Sequence, residues 1–247
     1  GWQRCSSRWF LYRRHRALHE RESPSRFDHP MASSRGHNLI TVNGEQQLSG
    51  KYKDKPCEEG IGGKVLEFRP GNKFDYTYMD CSNAYPKKEM KSWRRHITLE
   101  KPVITVIFDE VESARGAEIV ARFHSDTKTE IHDDFVLLKG DKGTMALIPA
   151  VDGSFTLKSG RHPYLPVRKT ASFTWIPYVE TIVKAKKAKT DIVTVVIPVN
   201  DAQDAAAIAK TVKTKTERSG NLVVSFTQDG KSFSYTYRKT GEGLVLK

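Results

Sequence analysis

An all-β fold, an antiparallel β-sandwich, is what this sequence predicts, and three observations predict it. Apolar and polar residues alternate in short runs, as in Phe74, Tyr76 and Tyr78 set against Asp75, Thr77 and Met79, the period of a half-buried strand. Turn residues separate the runs at spacings of about ten residues, the pattern of sandwiches and barrels and not of βαβ units. One stretch alone carries a convincing helical signal. The chain has 247 residues, 38% hydrophobic and 28% charged, enough to bury a core.

Residues 1–30 stand apart. They hold seven Arg, no Lys and three acids, whereas residues 31–247 hold 24 Lys, ten Arg and 26 acids. The first segment mixes Trp2, Cys5, Trp9 and Phe10 with Arg and Ser in no regular period. It reads as an insertion or as sequence in a wrong frame, and it is not expected to pack into the sandwich. The domain proper is expected over residues 31–247.

Within that domain the elements follow in order. Residues 38–42 read as a strand, and Asn43-Gly44 as a tight primed turn. The polar stretch 50–63, with Gly60, Gly62 and Gly63, reads as loop. The 74–79 strand is followed by a longer apolar run over 103–111. Short strands are expected over 117–124, 134–139, 144–149 and 154–158, with turns at Gly140–Gly143 and Asp152-Gly153. Residues 159–169, rich in Gly and Pro, read as loop, and 192–198 as a buried strand. Asp201 is placed to cap a helix over 201–213. Leu222, Val224 and Phe226, the Asp229-Gly230 turn, and Phe233, Tyr235 and Tyr237 make a closing hairpin. About a dozen strands suit two stacked antiparallel sheets.

Composition narrows the chemistry. The net charge of +12 is spread along the chain, and aromatic residues do not interleave with the basic run Lys184, Lys186, Lys187, Lys189; a nucleic-acid partner is not expected. No apolar run approaches membrane-spanning length, so no membrane partner is expected, and no signal peptide is visible. Three cysteines exclude a disulfide scaffold and a four-cysteine zinc site, leaving Cys57 and Cys81 as a pair that could form in an oxidising compartment. His15 and His19 share no helical apolar face and are not expected to be ligands. His37 opens the first strand, where either a metal ligand or a surface histidine fits. Asp109-Glu110 and Asp133-Asp134 point to opposite faces of a strand or sit in a turn, so neither makes a two-carboxylate glycosidase pair, and both pairs are expected to be solvated. No nucleophile elbow and no phosphate loop occur.

Several stretches, taken in order, resemble the C-terminal sheet domain of the heparinase II/III-like polysaccharide lyases. The first is Arg35-Gly36-His37-Asn38-Leu39-Ile40-Thr41-Val42-Asn43-Gly44-Glu45-Gln46-Gln47, similar to that family's Gly-His-Asn signature. Asp80-Cys81-Ser82-Asn83-Ala84-Tyr85-Pro86, Arg94-Arg95-His96-Ile97, the strand ending in Asp109-Glu110, and Ala121-Arg122-Phe123-His124-Ser125 follow. The resemblance covers about residues 31–230. It implies the C-terminal portion of an enzyme that cleaves uronate-containing acidic polysaccharides, such as glycosaminoglycans or alginate, by β-elimination. It also implies an α/α toroid as intramolecular partner, absent from this chain, and a periplasmic or secreted location.

The family's catalytic acid and base have no matching positions here, so this chain alone is expected to be inactive. Many members hold zinc through an His-x-His histidine, an Asp and the histidine of the Gly-His-Asn motif. By that matching His37 is the third ligand in the intact parent. No His-x-His occurs here, and no bound zinc is expected for this chain alone. Tyr85, Arg95 and His124 form the fallback set should the chain prove active by itself. A free-standing carbohydrate-binding or structural sandwich is the alternative.

Overall fold

The computed structural model describes residues 34–48, 62–164, 174–239 and 244–245. Residues 1–30, Cys57 and most of the expected 50–63 loop lie outside them, and with them the reading of the first segment and the Cys57–Cys81 pairing. The described residues form three antiparallel sheets and one short helix. A front sheet is ordered β1 (Ile40–Val42), β6 (Glu118–His124), β11 (Thr174–Lys184), β10 (Phe155–Tyr164). A central, eight-stranded sheet begins with β2 (Lys64–Arg69), β3 (Phe74–Asp80), β4 (Met90–Glu100) and β5 (Ile104–Ser113). It continues through β12 (Lys189–Val199), β9 (Gly143–Val151), β8 (Val136–Gly140) and β7 (Lys128–Ile131). A back sheet runs β13 (Lys213–Thr216), β14 (Leu222–Gln228), β15 (Lys231–Tyr237), β16 (Leu244–Val245).

The expected sandwich is therefore present, with a third layer added. The cause is the sequence of the central strands. An ordinary half-buried strand buries every second residue, but β5, β9 and β12 are apolar at both parities. Ile104, Val106 and Phe108 face the back sheet, with Val193, Val195, Ile197, Leu222, Val224 and Phe226. Val111, Leu147 and Ile192 face the front sheet, with Ile40, Ile119, Ala121, Phe123 and Val179. A sheet buried on both faces needs a layer on each. Two tyrosine hydroxyls fix the back layer: Tyr237 donates to Thr98 Oγ1 at 3.0 Å and Tyr235 to Glu100 at 2.6 Å.

Local signals hold where chemistry dictates them. Asp229 (φ 50°) and Gly230 (φ 72°) make the primed turn of the β14–β15 hairpin. Asn43 (φ 51°) and Gly44 (φ 74°) turn in the same way, but β1 does not pair with the next strand; it pairs with β6. Asp201 caps the helix α1 (Ala202–Ala209), accepting from the Gln203 and Asp204 amides at 2.8 and 2.9 Å. The helix stops short of residue 213. Thr211 donates its hydroxyl to the Ile208 carbonyl and accepts from the Thr227 amide, turning the chain into the back sheet.

Residues 159–164, expected as loop, are the second half of β10. β10 is an edge strand, where Gly160 and Pro163 are tolerated because one side needs no ladder bonds.

Asp109 also departs from expectation. It is not solvated but fully buried between the central and front sheets. Arg95 stands opposite it in register and grips both carboxylate oxygens, at 2.7 and 3.0 Å, and the Trp93 indole N–H donates to it at 2.7 Å. Burial alone would lower the Arg95 pKa, but the charge and hydrogen bonds of Asp109 hold it above the ordinary guanidinium value.

On the opposite face His96, also fully buried, joins the Tyr76 hydroxyl at 2.7 Å to Glu110 at 2.9 Å. Asp133 and Asp134, by contrast, are exposed in the β7–β8 turn as expected.

Removing one member of a buried pair leaves an unpaired charge, typically about 3–5 kcal/mol. We expect Asp109→Ala to destabilise by about that much, because it strands both the guanidinium and the indole N–H. Arg95→Met combined with Asp109→Leu is expected to cost less than Asp109→Ala alone. Urea unfolding of the three variants measures this.

Candidate functional site

The first strand is three residues long and is held in place by its flanking asparagines. Asn38 Oδ1 accepts from the His124 amide at 2.8 Å, at the end of β6. At the other end Asn43 exchanges 2.8 and 3.0 Å bonds with the main chain of Glu118, and its amide donates to Glu89 at 2.8 Å. Short polar side chains bonding to backbone in this way substitute for ladder bonds that a three-residue strand cannot supply. The Asn38 carbonyl accepts from Arg95 at 2.7 Å, and the Ile40 carbonyl from the Tyr85 hydroxyl at 2.5 Å. The Gly36-His37-Asn38 segment is thereby pinned to the buried Asp109 pair.

His37 is exposed, just past the 3-10 turn Ser34–Gly36. Its neighbours are on the outer face of the front sheet, where the even-numbered residues of β6, β10 and β11 point. Arg122 is directly opposite Glu180, and His124 opposite Tyr178. Arg122 pairs with Glu180 through Nε at 3.0 Å and also through Nη2, donates to the Arg35 carbonyl at 2.7 Å, and lies over the Tyr178 ring at 4.2 Å.

The other side of that ring has a glycine to thank. Tyr178 faces Gly160, and a Cβ there would come within 2.5 Å of the tyrosine's Cζ and hydroxyl. Only glycine leaves room for the ring at that register.

His124 sits edge-on to His162 and to Tyr178, both at 5.7 Å between ring centres. Its Nε2 lies 2.9 Å from the Arg35 carbonyl, which can only accept, so Nε2 carries a proton. Burial lowers the His124 pKa below the ordinary 6.5, the Arg35 carbonyl bond partly opposes this, and the charges of His162, Arg122 and His37 lower it further.

The fallback set is not brought together. Tyr85 and Arg95 are inside the sandwich, 1% and 6% exposed, while His124 is on the outer face. Burial raises the Tyr85 pKa well above the usual phenol range. Both residues position the first strand and cannot touch a substrate. Nor do three His, Cys, Asp or Glu side chains converge as a metal-ligand set among the described residues. His37 offers a single imidazole, so the described donors do not close a zinc site.

Sequence reasoning singled out His37 and His124 but missed His162, Tyr178 and Glu180. No local signal marks them, because Gly160 and Tyr178 meet only through the pairing of β10 with β11.

No protein-family model matches the sequence, and no curated protein does. Solved structures do match the fold. A heparinase III gene product aligns with a TM-score of 0.61 at 16% identity, over 82% of this chain and 30% of that one. Heparan sulfate lyase HepC from Pedobacter heparinus gives 0.60 at 13% identity, over 81% of this chain and 30% of that one. Another heparinase III structure gives 0.60 at 14%, over 81% and 29%. The chain thus spans less than a third of the length of these neighbours. At such identities the likeness is one of fold, and it is the fold that the Gly36-His37-Asn38 resemblance implied.

The depressed His124 pKa has a sign. Above about pH 6.5 the ring is neutral folded and unfolded, and contributes nothing. As pH falls below that value the unfolded chain takes up the proton first, so stability is lost until the lower folded pKa is passed. His124→Gln is expected to flatten the loss of stability between about pH 6.5 and pH 5, read from unfolding midpoints across that range.

Proposed function

We propose that this chain is the C-terminal sheet domain of a polysaccharide lyase that cleaves uronate-containing acidic polysaccharides by β-elimination. The observation that supports it is the fold shared with heparinase III and heparan sulfate lyase structures over four-fifths of the chain. β-Elimination needs a base for the C5 proton, an acid for the leaving oxygen, and neutralisation of the uronate carboxylate so that the proton becomes acidic. The described residues offer a face for the third task. Arg122, His124 and His162 line one side of the front sheet, with Glu180 as the nearby carboxylate already paired to Arg122. Base and acid belong, in this reading, to a helical toroid that packs against the sandwich and closes the groove. An acidic polymer outside the cell or in the periplasm is the corresponding substrate.

In the intact parent His37 would be one zinc ligand beside two from outside this chain. Zinc there would hold the groove's wall in a fixed geometry, as structural zinc does. The described residues do not form that site by themselves.

Two measurements test the reading. The purified chain is expected to give no rise in unsaturated-uronate absorbance on heparan sulfate or alginate, and the chain joined to a helical toroid from its own locus is expected to give one. Robust turnover by the isolated chain would refute it. In a full-length homologue, changing the matching His37 to Ala is expected to empty the zinc site; undiminished metal content removes the ligand role and leaves His37 a surface residue.

A further inference from the structure

The geometry points to the outer face of the front sheet, at His124 and His162, as a subsite for one anionic group, a carboxylate or a sulfate, of an acidic glycan. The ligand class rests on the proposed function; the place rests on the structure alone.

Three features carry it. The first is charge. The groups facing this spot are Arg122 and His124 from β6, Lys158 and His162 from β10, Tyr178 and Glu180 from β11, and His37 from the turn before β1. Arg35 contributes its carbonyl, while its guanidinium reaches toward Gly44. Glu180 is the one carboxylate among them, and Arg122 holds it. Between His124 and His162, whose rings meet edge-on at 5.7 Å, no carboxylate of this group stands. An anion seated between the imidazoles meets N–H donors and the basic side chains of the same face, and a protonated imidazole would hold it more tightly.

The second feature is preorganisation. Tyr178 is wedged between Gly160 and the Arg122 guanidinium, Arg122 is fixed by Glu180 and the Arg35 carbonyl, and His124 is fixed by the same carbonyl. Side chains locked by such contacts lose little further freedom when a ligand arrives. The third is access. His124 and His162 are both half-buried, seated in the face yet open to solvent. No third metal-ligating side chain converges with them among the described residues, so the chemistry offered is charge and hydrogen bonding.

The test uses the whole 247-residue chain and calorimetric titration at about pH 5.5 and about pH 7.5, either side of the imidazole range. The probes are heparan sulfate oligosaccharide, alginate oligosaccharide (uronate without sulfate), dextran sulfate (sulfate without uronate) and neutral dextran. Binding of an anionic probe is expected to be about tenfold tighter at the lower pH, the effect of about one added charge contact, and neutral dextran is expected not to bind. Alginate against dextran sulfate tells carboxylate from sulfate.

His124→Gln and His162→Ala are each expected to abolish the acid enhancement while the unfolding temperature at about pH 7.5 stays near wild type. His162→Lys is expected to restore tight binding without the pH dependence. The proton resonances of the His124 imidazole provide a second readout, with a midpoint expected to rise when glycan is added. Binding unchanged in both histidine variants, binding insensitive to pH, or no binding of any anionic probe overturns the subsite. Loss of anion binding here would remove the carboxylate-neutralising face from the proposed reaction but not the shared fold, and failure of turnover by the chain joined to its toroid leaves these titrations standing, so the two readings fail separately.

Discussion

The buried ion pair between Arg95 and Asp109 is the constraint on which the front half of the molecule depends. A carboxylate with no exposure is costly unless every lone pair it presents is met. Three donors meet this one: Arg95 Nε and Nη2, and the Trp93 indole N–H. The remaining Arg95 nitrogen reaches out of the central sheet to the Asn38 carbonyl, and the guanidinium lies over the Trp93 and Phe123 rings at 5.0 and 5.8 Å. One side chain thus connects β4, β5, the segment before β1, and β6. Shift Asp109 by one residue and it would face the back core, away from the Arg95 guanidinium and the Trp93 indole N–H. The pair sets register as well as contributing contacts.

The other face of the same two strands repeats the arrangement with weaker groups. His96 follows Arg95 and Glu110 follows Asp109, so their side chains point into the second core. There His96 is bonded at both ring nitrogens, to Tyr76 and Glu110, and is stacked between Tyr78 at 4.2 Å and Phe108 at 5.0 Å. Burial raises the pKa of the Tyr76 and Tyr237 phenols well beyond the usual range, so both stay hydroxyl donors. Tyr237 uses its hydrogen on Thr98, which fastens the back sheet to β4. The central sheet is therefore polar at its heart on both faces and apolar around it. Such networks are stable only when fully satisfied, which restricts how the three layers can be stacked.

These constraints reach the surface through β1. Asn38 is bonded on one side to Arg95 in the core and on the other to the His124 amide on the rim. The exposed His37, the Arg35 carbonyl and the imidazole of His124 inherit their positions from that link. A face built in this way is rigid because its supports are buried, and Glu180, the carboxylate beside its basic groups, is already paired to Arg122. The likeness to heparinase III structures concerns the fold.

Much of the fold was legible in the sequence, and the reason is local. Alternation in Phe74–Tyr78 and Leu222–Phe226, the two residues of Asn43-Gly44 and Asp229-Gly230 that need positive φ, and the cap at Asp201 are each decided by a few neighbouring residues. The Gly36-His37-Asn38 stretch likewise carried the resemblance that the fold bears out. What the sequence could not show is which polar residues are buried. Trp-Arg-Arg-His in β4 and Asp-Glu in β5 look solvated, because a charge is excluded from the interior unless a partner meets it, and the partners are 14 residues away across a hairpin. The outer-face site was hidden for the same reason. Gly160, Tyr178 and His124 come from three strands that the sequence separates and only the sheet order brings side by side, and pairing between distant strands is settled by burying both faces of the central sheet at once, a condition that no short window of residues contains.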